Sequence, residues 1–170
     1  MADTNLPSTP ADGNVKTVLV PAIKDLKAPT KQEATAVTAV DISCYLTRGG
    51  FPLAIEQATI NDERECDTTV RTQPGVKTPS LKITGIDNTN TPYEQDHNEL
   101  AEALTEGSEW CFIRRYGKPH TVELTSGDRV ETGRFKVGLR TSVAPEANST
   151  IRSEWNVFMS GAETEAKIAV

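Results

Sequence analysis

The chain has 170 residues, of which 36% are hydrophobic and 5% aromatic, and a formal net charge of −6. That length suits one domain, the low apolar content limits its core, and the acidity excludes a general nucleic-acid binder, which carries a basic footprint. No apolar run approaches the roughly 20 residues that span a bilayer, so no membrane role is expected.

Residues 1–14, rich in Pro, Asp, Asn, Ser and Thr, read as a flexible arm without the charged and apolar regions of a signal peptide. Lys16 to Ile23 is a short apolar strand stopped by Pro21. Residues 24–36 form a polar connection. Val37 to Leu46 begins β-prone, although Asp41, Ile42, Tyr45 and Leu46 fit one helical turn equally well. The Arg48-Gly49-Gly50 break then leads into the stretch that organises the chain, Phe51 to Arg71.

This stretch reads as a hairpin with a turn at Asn61-Asp62-Glu63-Arg64. Strand side chains alternate between faces, so Ile55 should face Val70, Gln57 face Thr68 and Thr59 face Cys66. The opposite face would carry Ala54/Arg71, Glu56/Thr69 and Ala58/Asp67. Five acids (Glu56, Asp62, Glu63, Glu65, Asp67) and one base (Arg64) lie between Glu56 and Asp67. Such a face is either solvated surface or a wall that must repel a polyanion.

Gln73-Pro74-Gly75 and Thr78-Pro79 then mark a loop. Ser80 to Ile86 resumes as a strand with Leu81 and Ile83 in phase. Asp96 to Leu104 reads as a helix, with Asp96 as cap, Glu99 in the capping-box position and Gly107 past its end. Strands follow at Glu109–Tyr116, His120–Thr125, Arg129–Val143 and Thr150–Met159. In the third of these Phe135, Val137 and Leu139 oppose Arg134, Lys136 and Arg140. Residues 160–170 read as a small polar tail. The order predicts a mainly β protein, an antiparallel β-sandwich or barrel with long hairpins and one α-helix. Long two-faced strands leave edges that invite pairing with another chain.

Little in the chain carries covalent chemistry. His97 and His120 stand alone, and no nucleophile, phosphate-loop or dinucleotide motif occurs. The hairpin acids lack calcium-loop spacing, so no metal or other cofactor is expected and no enzyme is read. Cys44, Cys66 and Cys111 form neither a zinc pattern nor a disulfide framework, which fits a reducing cytoplasm. From Arg114 to Arg140 seven bases outnumber three acids. Set against the acidic hairpin, this suggests complementary halves that a head-to-tail contact between identical subunits would use.

The segment VDISCYLTRGGFPLAIEQATINDERECDTTVRTQPGVKTPSLKITG resembles the major tail tube proteins of long-tailed, siphovirus-type bacteriophages. It has an Asp-Ile-Ser opening, a Gly break, a hairpin dense in Thr and acids, and a Leu-Lys-Ile-Thr-Gly strand. The Arg-Phe-Lys-Val-Gly-Leu and Glu-Trp-Asn-Val-Phe strands fit as well. The resemblance implies a tail-tube β domain over residues 15–160, between the arm at 1–14 and a tail at 161–170. It also implies a structural virion protein, assembled in the host cytoplasm as hexameric rings that stack into a tail tube for DNA ejection. The partners implied are further copies of the chain, the tape measure, terminator and distal tail proteins, and genomic DNA passing without specific binding. Glu56 and Asp67 would line the bore and repel DNA. Asp62, Glu63 and Glu65 would sit at the hairpin tip near a joint between rings. Arg134, Lys136 and Arg140 would form a basic surface between subunits. The alternatives are a tail terminator or capsid decoration protein, and a small ligand-binding β-barrel, which the few aromatic residues argue against.

Overall fold

The computed structural model describes residues 6–170. Ten elements follow one another among these residues: β1 (Val15–Val20), α1 (Lys31–Ala34), β2 (Val40–Asp41), β3 (Ala54–Asp62), β4 (Arg71–Ser80), β5 (Lys82–Ile86), α2 (Glu99–Ala103), β6 (Glu109–Tyr116), β7 (Arg129–Ser142) and β8 (Arg152–Lys167). Six strands form one curled antiparallel sheet in the order β2-β1-β6-β7-β8-β5. The other two, β3 and β4, make a separate hairpin.

Alternating apolar residues give the sheet two buried faces. On one, Leu19, Ile83, Phe112, Phe135, Val137 and Trp155 meet Leu100 and Leu104 of the α2 region, together with Ile42 and Phe51. On the other, Val18, Val20, Cys111, Ile113 and Val130 meet Ile23, Ala34, Leu124 and Ile168. Gly133 allows the layers to close, because a Cβ there would run into the Phe112 ring and the Met159 methyl. The Phe51 and Phe112 rings meet edge to face at 5.0 Å, a favoured aromatic geometry.

Several elements depart from the sequence reading. The helix is shorter than expected, Glu99–Ala103, and Asp96 does not cap it. Asn98 precedes it, but its side chain is taken by Asn88 N (3.0 Å) and Thr89 Oγ1 (3.4 Å). A second helix, α1, went unread although it has a complete capping box. Thr30 Oγ1 accepts from Glu33 N, and the Glu33 carboxylate accepts from Thr30 N at 2.7 Å. The open choice at 41–46 resolves as both: Asp41 ends strand β2, and one turn follows, with the amides of Tyr45 and Leu46 both donating to Ile42 O.

His120–Thr125 is not a strand. Arg115, buried at its base, donates to the carbonyls of Pro119, Val122 and Glu123 and to Asp128, which folds the segment into a loop. The small residues 160–170 do not form a loose tail either. β8 continues to Lys167, paired throughout with β7, and Ala166 and Ile168 are buried. Of the expected arm, residues 1–5 lie outside the described residues. Residues 10–14 are tied down by Asn14 on Pro10 O and by the Arg48–Asp12 ion pair at 2.8 Å.

Candidate functional site

The hairpin is longer than its sequence suggested, and its turn lies elsewhere. The pairs run from Ala54↔Ser80, Ile55↔Pro79 and Glu56↔Thr78 to Ile60↔Gln73, Asn61↔Thr72 and Asp62↔Arg71. The expected turn at 61–64 and the register that set Ile55 against Val70 are therefore wrong, because the supposed loop around Pro74 and Pro79 is strand β4. Proline is tolerated where one side of a strand has no partner to receive its missing N–H. An irregularity between Gln57 and Thr59 sets Gly75 and Val76 against Ala58. A Cβ on Gly75 would come within 2.9 Å of Ala58 O, so the residue suits this close approach.

This register redistributes the acids. Glu56 shares its face with Ala54, Ala58, Ile60 and Asp62, and with Thr78, Gln73 and Arg71 across the ladder. Asp67 leaves that face and joins Glu63 and Glu65 in the loop between the strands. There Asp62 pairs with Arg64 (2.9 Å) and Asp67 with Arg71 (3.2 Å). Among the described residues Glu56, Glu63 and Glu65 have no ion-pair partner within 4.0 Å, and all three are exposed. The negative charge is thus concentrated at the far end of the hairpin rather than spread along it. No group of three or more His, Cys, Asp or Glu among the described residues could hold a metal ion.

The hairpin is also almost bare. Its side chains are exposed at nearly every position, including Ile60 at 53% and Val76 at 76%. At its root Leu53 packs on the first core and Ile55 and Pro79 are half-buried. A second bare stretch lies within the β7–β8 ladder, where Leu139 and Phe158 are 58% and 68% exposed.

The basic residues are dispersed. Arg134 donates to Ile23 O (2.8 Å), Lys136 lies 3.7 Å from Glu109, and Arg140 pairs with the buried Asp87. Burial would raise the Asp87 carboxyl, but the hydroxyls of Ser153 and Thr89, the Thr89 amide and Arg140 together hold it below its usual range. Arg115, counted from sequence in the basic half, is buried. Its partner Asp128 would likewise be raised by burial. Hydrogen bonds from Lys118, Thr125 N and Arg115 outweigh this and hold it at about 2. Arg114 stacks on the rings of Phe51 (4.9 Å) and Tyr116 (5.2 Å). Cys44 and Cys66 are exposed, and Cys111 is buried.

A curled six-stranded antiparallel sheet with a separate two-strand ribbon defines a mainly β protein. The fold is shared with a chain in the six-fold symmetrised cryo-EM structure of the anti-feeding prophage (AFP) baseplate. The match has a TM-score of 0.52 at 7% identity and covers 93% of this chain and 96% of that one. A search of curated proteins finds no match. The profile of the phage tail tube protein family matches residues 1–170, and the chain belongs to that family. It is a structural protein of the virion tail.

Proposed function

We propose that this protein assembles as hexameric rings, stacked through their ends into a tail tube that conducts DNA during ejection. The observation that carries this reading is the naked β3–β4 hairpin. A lone two-stranded ribbon is marginal in water, and this one leaves Ile60 and Val76 exposed along strands of nine and ten residues. Neighbouring copies would supply the missing contacts and close the ribbons into a wall around a bore. The six-fold symmetrised assembly containing a similar fold favours six copies.

In this reading Glu56 faces the bore, and Asp62, Glu63, Glu65 and Asp67 form a ring of negative charge where the hairpins end. A wall that carries no free cations releases no counterions from DNA and does not retain it. Arg134, Lys136 and Arg140 already engage their own chain. All three are exposed and remain within reach of a neighbouring subunit.

Negative-stain imaging of the purified chain at rising concentration tests the assembly. Long hollow tubes are expected; monomers at every concentration would reject it. Because the similar fold comes from a baseplate, a single-ring component is the second reading, and growth that stops at one ring would select it. Glu56→Lys combined with Asp67→Lys should permit tubes but slow DNA release in reconstituted phage. Unchanged release would remove Glu56 from the bore and Asp67 from the charged ring at its end.

A further inference from the structure

We infer that Lys27, Arg129 and Lys167 form the surface that receives the acidic hairpin tip of a second copy. The inference rests on the tube reading above and names one of its contacts.

Three chain segments lie side by side where β7 begins and β8 ends. Arg129 and Lys167 are direct cross-strand partners, and Lys167 N donates to Lys27 O at 3.1 Å. All three side chains belong to exposed residues. Like charges placed directly opposite on a sheet destabilise it, so this pair runs against the stability of the isolated subunit. Neither side chain has an ion-pair partner within 4.0 Å among the described residues, although Glu131 follows two residues after Arg129 on β7. Asp128, beside the Gly127 backbone over which Lys167 extends, is occupied by Arg115 and Lys118. Asp25 accepts from the Lys27 amide rather than from its ammonium. Glu165 and Glu163, on the same strand as Lys167, make no ion pair within 4.0 Å among the described residues, and neither do the three cations.

The complementary feature is the hairpin loop, where Glu63 and Glu65 project without a cation beyond the two internal pairs of Asp62 and Asp67. One copy therefore carries three unpaired cations on its body, beside the carboxylates of β8, and two unpaired carboxylates on its ribbon end. This is the arrangement of a heterologous contact between identical chains, which repeats from copy to copy.

A charge-swap experiment on the full-length chain decides the matter. Arg129→Glu with Lys167→Glu should raise the concentration needed for tube formation roughly tenfold or more, the scale of one modest ionic contact repeated around a ring. Glu63→Lys with Glu65→Lys should do the same. The two sets combined should restore assembly to near the original threshold. Each variant's circular dichroism and melting curve, measured below that threshold, establish that the subunit still folds; Arg129→Gln with Lys167→Gln serves if the acidic pair does not. Normal tubes from either set alone, or no restoration in the combination, would overturn the pairing. Absence of tubes from the unaltered chain would overturn the tube reading itself.

Discussion

The sheet and the hairpin solve opposite problems. The six-stranded sheet covers most of both faces from its own chain, apart from Leu139 and Phe158, and Leu19, Phe112 and Trp155 are wholly buried. The hairpin has no such cover, although it is built from the same alternating strand geometry. Burial in this molecule is therefore concentrated in the sheet, while the hairpin leaves most of its side chains exposed. That separation means mutations in the two regions should fail in different assays.

The sharpest break is removal of the ribbon. Replacing residues 58–76 with a short Gly-containing turn should abolish tube formation completely, with the subunit's melting temperature changed by only a few degrees. Light scattering and calorimetry on one sample check both halves. The opposite break is Trp155→Ala. Emptying that site should cost about 3–5 kcal/mol, seen by denaturant unfolding, and would leave little folded subunit to assemble. Trp155→Phe should cost less than Trp155→Ala, because it leaves a smaller cavity and removes Trp155 Nε1, which is buried without a partner among the described residues.

Next in size is Asp128. Its carboxyl sits at about 2 against an ordinary 3.8. A depressed carboxyl stabilises the fold above its unfolded value and loses that contribution as pH falls through the folded one. The sheet should therefore weaken by roughly 2 kcal/mol between about pH 4 and pH 2 through this group. Asp128→Asn should flatten that part of the acid profile and lower stability near neutrality by about 2–3 kcal/mol, since Arg115 loses its counter-charge. The smallest subunit effect belongs to Ile60→Thr with Val76→Thr. Exposed substitutions of this kind change stability by about 0.5 kcal/mol or less, yet they should raise the assembly threshold if neighbours cover these side chains. An unmoved threshold would place both residues on open surface.

The legible parts of the sequence were those where a side chain's burial follows from local alternation. Leu81 and Ile83, Phe135 and Val137, and Trp155 were in phase and lie in the core. The illegible parts depend on contacts distant in the chain. Pro74, Gly75 and Pro79 looked like loop because proline normally breaks a ladder, and only a strand unpaired on one side can hold them. Val122 and Leu124 have strand-like spacing, but Arg115 claims the surrounding carbonyls. Gly161, Ala162 and Ala166 carry little β-propensity and become strand because β7 is long enough to pair with them. The hairpin acids were visible as a group, but their distribution followed the register, which a proline-containing partner strand concealed. Lys27, Arg129 and Lys167 are far apart in sequence, and no local signal joins them.

The three thiols sit in three mechanically distinct places. Cys66 lies in the ribbon's terminal loop, Cys44 on the outer body and Cys111 inside the sheet. A maleimide dye added to the unmodified chain therefore reaches the first two at once and the third only when the strands separate. One labelling time course reads global opening through Cys111 and crowding at the ribbon's end through Cys66, without any engineered reporter.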